Sequence, residues 1–269
     1  MYPKLNINVD FSRADLSRGI TLPNELTLEL AELVGVIMGD GHIYFNNESR
    51  EKTNYSIWIS GSLSEDSDYY KNYINKIFQN LFNLDFSFAS QRKDELIVRV
   101  HSKAIASFFK DFGIKTGNKT SDNPIPNEIL NSNDNIKKGF LRGIFDTEFC
   151  VMFKKDHHGK HSKPIISTKM KSLKLVLHLK DLLESFGFKV GVYKDEYFDK
   201  RSKDINTGYR IQIAGKKSFK HYLEVIGFRN PRHLTKVEIW NKFGFCPPRL
   251  SYQQRLDILR GKIDPYKFY

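Results

Sequence analysis

The chain has 269 residues, 40% of them hydrophobic and 13% aromatic, and 43 Lys and Arg against 31 Asp and Glu give a net charge of +12. That length and apolar content exclude a disordered chain or a small disulfide-stapled one and allow one large core or two smaller ones. The excess charge, with a pI near 9.5, points to a polyanionic partner, nucleic acid before a membrane surface. No apolar run approaches the roughly 20 residues of a spanning helix, and the start, MYPKLNINVD, lacks the apolar core of a signal peptide. Cys150 and Cys246 show neither zinc spacing nor a disulfide framework and are expected to be buried free thiols. A soluble intracellular protein is expected, in the cytoplasm or an organelle.

In chain order, residues 1–25 read as an extended polar lead-in. Residues 28–40 form a helix. HIYFNN and NYSIWISG alternate as strands about a charged turn at 48–53, making a hairpin. Residues 66–84 carry Tyr69, Ile74, Ile77, Phe78 and Leu81 at helical spacing. A second hairpin over 85–90 and 95–101 turns at QRKD, and a helix over 102–112 closes at Gly113.

After a polar linker, 115–135, expected to hold a short helical turn around NPIPNEI, the order returns. A helix over 136–148 leads to a hairpin of 149–153 with 163–168, then to a helix over 172–186 that ends at Gly187. A last hairpin, 189–197 with 208–214, precedes a helix over 218–226. The result is an α+β fold made of two αββαββα repeats, 26–114 and 136–230, with pseudo-twofold duplication and two antiparallel sheets. A helical tail, 231–269, follows, with helices over 234–243 and 252–259 separated by Pro247 and Pro248.

The two repeats open on similar words, LVGVIMGDG at 33–41 and LRGIFDTEF at 141–149. Each has glycine third and a carboxylate eighth, Asp40 and Glu148, which lie 148 − 40 = 108 residues apart. Glycine inside a helix costs about 1 kcal/mol against alanine, so Gly35 and Gly39, four apart, ask for a reason. Close approach of a second helix supplies one. Gly143 and Thr147 give the second helix a matching small face. Packed through these faces, the helices would end in adjacent carboxylates, where helix dipoles and like charge both penalise a bare pair. A divalent cation relieves both penalties, and an oxygen-only donor set suits Mg²⁺, with Mn²⁺ as a substitute, better than Zn²⁺.

These words resemble the LAGLIDADG homing endonuclease family, in its single-chain, two-motif form, over nearly all of residues 26–230. The first copy keeps the glycines and the terminal Asp-Gly. The second departs at Phe149, where the family usually has glycine, and Met38 stands at a sixth position that is not the metal-binding one. The resemblance implies that Asp40 and Glu148 hold divalent metal between paired helices, and that a monomer cuts both strands of a long, partly palindromic double-stranded DNA site, leaving short 3′ overhangs. It also implies a lysine at the end of each repeat's last strand. Lys103 matches in the first repeat; in the second, counting back from the helix selects Lys217 and strand alternation selects Lys216.

Basic residues recur at the hairpin turns: Arg50 and Lys52, Arg92 and Lys93, Lys155, Lys160 and Lys163, Arg201 and Lys203. Strands and their turns fit a major groove, so these residues are expected to meet phosphate, and Arg99, Arg210 and Gln212, within strands, to meet bases. His157, His158 and His161 lie in a charged turn without the helix and acid of a zinc protease motif and read as surface. The alternative function on the same fold is a nuclease-inactive DNA-binding regulator, or a splicing maturase whose partner is RNA.

Overall fold

The computed structural model describes residues 2–46, 54–90, 92–117, 123–199 and 203–269. It divides into two compact units, one of Met1–Lys119 with Ile125–Thr147, the other of Thr120–Pro124 with Glu148–Tyr269.

In the first unit the lead-in contains a short helix, α1 (Arg13–Ser17), instead of being extended throughout. Its cause is local: Ser12 and Asp15 form a reciprocal capping box. Asp15 also accepts the Ala104 backbone N–H at 3.1 Å, fastening the lead-in to the repeat that follows.

α2 (Leu28–Asp40) begins where the Thr27 side chain accepts the Leu30 N–H. Every residue from Leu30 to Gly39 is buried, Glu32 included. β1 (Gly41–Asn46) and β2 (Asn54–Ser62) pair antiparallel, with Ile43 opposite Ile57. The expected helix over 66–84 is longer and less regular. It runs as α3 (Leu63–Asp68), a wide π-helical segment (Tyr69–Ile74) and α4 (Asn75–Phe82), ending at Asn83 in the left-handed conformation. β3 (Ser87–Ala89) and β4 (Glu95–His101) complete a sheet of order β1-β2-β4-β3, backed by α5 (Lys103–Asp111). The core face of that sheet is Ile43, Ile57, Ile59, Val98 and Val100. A short helix, α6 (Asn127–Leu130), interrupts the linker, and α7 (Asp134–Glu148) packs on α2 within this unit up to Thr147.

The second unit holds β5 (Cys150–Lys155), β6 (His161–Met170), α8 (Leu173–Ser185), β7 (Val190–Asp199), β8 (Asp204–Ala214) and α9 (Lys216–Val225). Its sheet order, β5-β6-β8-β7, repeats that of the first. Its hairpin strands are longer than expected: pairing runs from Val190–Ile213 to Asp199–Asp204, through most of the polar run read as a turn. Backbone pairing does not need apolar side chains, which is why alternation underestimates such strands. Val151, Ile166, Ile211 and Ile213 form the core face.

The tail forms α10 (Pro231–Phe243), α11 (Tyr252–Leu259) and a 3₁₀ turn (Pro265–Phe268). It braces the β5–β6 hairpin. The Trp240 indole N–H donates to Ser162 O at 3.0 Å, the Cys246 N–H donates to His161 O at 3.0 Å, and the His161 N–H donates to the Tyr269 hydroxyl at 3.0 Å. No helix among the described residues is long and apolar enough to cross a membrane.

Candidate metal and nucleic-acid site

α2 and α7 touch through their backbones. A Cβ placed on Gly143 would lie 2.0 Å from Glu32 O, one on Gly35 2.3 Å from Phe140 O, and one on Gly139 2.7 Å from Leu28 O. Residues in contact differ by 105 to 111 in number, from Gly35 with Phe140 to Leu28 with Gly139, so the helices run parallel. Gly139 joins Gly35 and Gly143 at this seam; its position two residues ahead of the motif word kept it out of the sequence comparison. Gly39 is buried on α2. Thr147 is buried too, but its hydroxyl turns back on its own helix, donating to Gly143 O at 3.0 Å.

Asp40 is the last residue of α2 and is half-buried. One of its oxygens, Oδ2, accepts the Tyr70 hydroxyl at 3.4 Å. Gly41 makes the corner from helix to strand, where a Cβ would lie 2.6 Å from Ile37 O. Glu148 is the last residue of α7 and is also half-buried. Phe149 replaces the corner glycine and is fully buried; β5 begins one residue later, at Cys150, so the second corner has an extra residue with its ring in the core.

A buried polar cluster lies along the helix pair. Glu32 of α2 pairs with Arg142 of α7 at 3.3 Å and accepts the Tyr73 hydroxyl at 3.0 Å. Burial first, then the charges of Asp146 and Glu32, push the Tyr69 phenol well above its ordinary value. Asp146 and Tyr70 are neighbours of the candidate site that sequence reasoning passed over. Their signals were present: an acid at the sixth position of the second word, and three tyrosines in YYKNY at core spacing.

Lys103 does not end a strand. It is the first residue of α5, and its Nζ lies 3.4 Å from Asp10 Oδ2 in the lead-in, an exposed contact of small value. Lys216 and Lys217 likewise open α9 and are both exposed, after Gly215 with φ +96°. Strand alternation therefore does not apply to either of them.

The sheet faces opposite the two cores differ. In the second unit, Lys154 lies opposite Lys163, Ser167 opposite Gln212 and Lys169 opposite Arg210, all on the face away from Ile166, Ile211 and Ile213. Arg210 pairs with Asp195 at 2.9 Å and lies over the Tyr193 ring. Lys155 is exposed beside a register shift, and Lys203 is exposed at the β7–β8 turn with φ +60°. Lys160 lies over the Phe245 and Tyr266 rings of the tail, at 5.1 and 4.6 Å.

In the first unit, Arg99 lies away from the core over Trp58, 4.7 Å from the ring, in a row with Tyr44 and His42. Neither Trp58 Nε1 nor Arg99 Nε has a hydrogen-bond partner among the described residues. Arg92 and Lys93 are exposed at the β3–β4 turn. Arg50, Lys52 and Arg201 lie outside the described residues.

Cys246 is buried, and burial lifts its thiol to about 11. Cys150 corrects the expectation of two buried thiols: it alternates with Val151 along β5 and is exposed. The His157 and His158 rings lie 3.8 Å apart on the surface, tilted by 45°, whereas His161 is half-buried with its Nδ1 3.0 Å from the Tyr269 hydroxyl, and no group of three or more metal-ligating side chains occurs among the described residues.

Residues 135–227 match the family described as LAGLIDADG-like domain. Among solved structures, the homing endonuclease I-DmoI in complex with DNA and Ca superposes with TM-score 0.53 at 17% identity, covering 77% of this chain and 94% of that one. A variant of I-SmaMI gives TM-score 0.53 at 12% identity, covering 80% and 89%. The chain thus has the LAGLIDADG homing endonuclease fold, with its two four-stranded antiparallel sheets and helices. Glutamine--fructose-6-phosphate aminotransferase of Methanocaldococcus jannaschii is 26% identical over 224 residues, 83% of this chain and 18% of that protein. The Replication factor C small subunit of the same organism is 26% identical over 223 residues, 78% and 11%. The chain therefore spans less than a fifth of the length of these two relatives.

Proposed function

We propose that this chain is a divalent-metal-dependent, site-specific double-strand DNA endonuclease of the homing type, in which Asp40 and Glu148 hold the metal. The helix pair carries the reading. Two parallel helices interlock through glycines at an offset of 105 to 111 residues, and each ends in a carboxylate, Asp40 and Glu148, 148 − 40 = 108 residues apart. The donor set fits a hard cation: oxygen ligands at the negative ends of two helices, with the remaining positions left to water and phosphate, as Mg²⁺ prefers. Mn²⁺ would substitute. When bound, the ion supplies Lewis acidity toward water and the phosphodiester.

The chain's own residues would bind and orient. Asp40 and Glu148 act as ligands and not as general bases. Lys103 and Lys217, with Lys216 as the alternative, would meet the cleaved phosphates. The basic face of Lys163, Arg210 and Gln212 would hold one half of the duplex, and Arg99 would reach bases in the other half. Lys155, Lys203, Arg92 and Lys93 are placed to reach backbone phosphates at the hairpin ends. One chain carries both sheets, so a monomer would read a long site with unlike halves, leaving 3′ overhangs. Solved neighbours in complex with DNA and Ca or Mn support a DNA substrate and a divalent ion. Matches to small fractions of two relatives with unrelated names support reading this chain as a separate module.

The test is a cleavage selection on a randomised duplex library with Mg²⁺, run beside the Asp40→Asn, Glu148→Gln double variant. One long site cut only by the native protein is expected. No cut site, with one sequence retained equally by both proteins, would make this a binding protein. One observation favours an RNA-binding reading as second choice: the row of His42, Tyr44, Trp58 and Arg99 is the kind of platform on which unpaired bases stack. Preference for single-stranded RNA over duplex DNA at matched salt would select it.

A further inference from the structure

The motif helices account for the acids, but not for the π-helical segment beside them. That segment is a departure from a cheaper α-helical path, and wide turns of this kind recur at functional sites. Its wide turn is closed by the Asn75 N–H, which donates to Tyr70 O five residues earlier. The turn carries three tyrosines toward the acids of α2 and α7. The Tyr73 hydroxyl donates to Glu32, the Tyr70 hydroxyl to Asp40 two helical turns further along α2, and Tyr69 is buried between the charges of Glu32 and Asp146.

Tyr70 is held tightly. It is 1% exposed, its ring meets Tyr69 edge-on at 5.2 Å, and it fills the space above Gly61, where a Cβ would lie 2.8 Å from Tyr70 Cε2. A ring so fixed leaves its hydroxyl little freedom. The same hydroxyl could have been a methyl-sized gap or a phenylalanine edge if packing were its only task.

We infer that Tyr70 is a positioning residue for Asp40: its hydroxyl, aimed by the π-helical turn, holds one carboxylate oxygen and so fixes the side chain in the orientation that receives a divalent cation. This rests on the reading of Asp40 as a metal ligand. It assigns to the helix behind the first sheet a role in the site that neither motif word contains. Outer partners of ligating carboxylates typically affect metal affinity about 10- to 100-fold when removed, and a 3.4 Å bond belongs at the lower end.

The test measures Mn²⁺ binding to the protein alone by the loss of the free-ion EPR signal, in the native chain and in Tyr70→Phe, Tyr73→Phe and Asp40→Asn. Tyr70→Phe keeps the ring and removes only the hydroxyl. About tenfold weaker Mn²⁺ binding is expected for Tyr70→Phe, a change under twofold for Tyr73→Phe, whose hydroxyl serves Glu32, and loss of binding for Asp40→Asn. Melting with and without Mn²⁺ gives an independent reading, with the metal-induced rise in Tm shrinking in Tyr70→Phe alone of the two tyrosine variants. If Asp40→Asn loses binding while Tyr70→Phe binds as the native chain does, the positioning role falls and the metal site stands. Equal weakening in both tyrosine variants would make the effect general packing and overturn the inference. Binding untouched by Asp40→Asn would remove both the inference and the metal-site reading beneath it.

Discussion

Replacing Gly143 by alanine tests the helix pair on which the proposed site depends. On an ordinary exposed helix the change would stabilise by about 1 kcal/mol through propensity. Here the new methyl would lie 2.0 Å from Glu32 O, 2.9 Å from Glu32 C and 3.0 Å from Val36 N, all backbone atoms in the buried stretch of α2. No rotamer relieves such a contact; the helices must separate by more than an ångström. Overpacking in a core costs about 1–3 kcal/mol, more where the obstacle is backbone, so a net loss of about 2 kcal/mol is expected. At roughly 2–4 °C per kcal/mol for a chain of this size, Tm should fall by about 4–8 °C. Circular dichroism melts of Gly143→Ala, Gly35→Ala and Gly139→Ala should rank in the order of their contacts, 2.0, 2.3 and 2.7 Å. Under the proposed function, cleavage should fall with the same order, because separation moves both acids. A Gly143→Ala protein that melts at or above the native temperature would refute the interlock.

Thiol labelling at neutral pH should modify Cys150 and spare Cys246, which burial keeps protonated with a thiol near 11; rapid labelling of both would contradict the packing of the tail on the β5–β6 hairpin. Trp240→Ala should destabilise the second unit by about 3–5 kcal/mol, since it empties a buried aromatic site and leaves Ser162 O without its indole donor; a loss under 1 kcal/mol by urea titration would count against a brace. The Ser162 hydroxyl, with the Lys160 and His158 backbone N–H groups, holds the Asp156 carboxyl at about 2. The folded value is depressed, so its contribution is present above the ordinary carboxylate range and is lost as pH falls through about 2. An NMR titration should find that midpoint and see it rise in Ser162→Ala. Once the target duplex is known, Lys163→Ala should lower the slope of log Kd against log salt by about 1. Trp58→Ala should leave that slope unchanged and relax sequence preference; the reverse pattern would exchange the roles assigned to the two sheet faces.

The repeated order of elements was legible. Both helix words, all four hairpins and the closing helices follow from apolar periodicity and turn residues, and the sheets have the expected composition. The errors have separate causes. α1 was missed although Ser12 and Asp15 spell its cap, because its five residues bury little apolar surface. The helix over 66–84 hid a wide turn, because an i to i+5 bond leaves no mark in an apolar pattern. Strands β7 and β8 ran on through polar residues, because ladder pairing is a property of the backbone. α9 starts at Lys216, so both lysines that alternation tried to separate sit in one helical turn.

What the sequence by itself determined is what depends on neighbours along the chain: the two repeats, the acids at the ends of their helices, the glycines that thin those helices, and the surplus of positive charge. The tertiary structure decided what depends on residues far apart. It set Tyr70 against Asp40 from 30 residues away, placed Lys160 over rings of the tail, and left Cys150 in solvent while Phe149 took the core. It also gave the two sheets unlike faces, one aromatic around Arg99 and one lined by lysines. Periodicity fixes which face of a strand a residue occupies, but only packing fixes what stands opposite it.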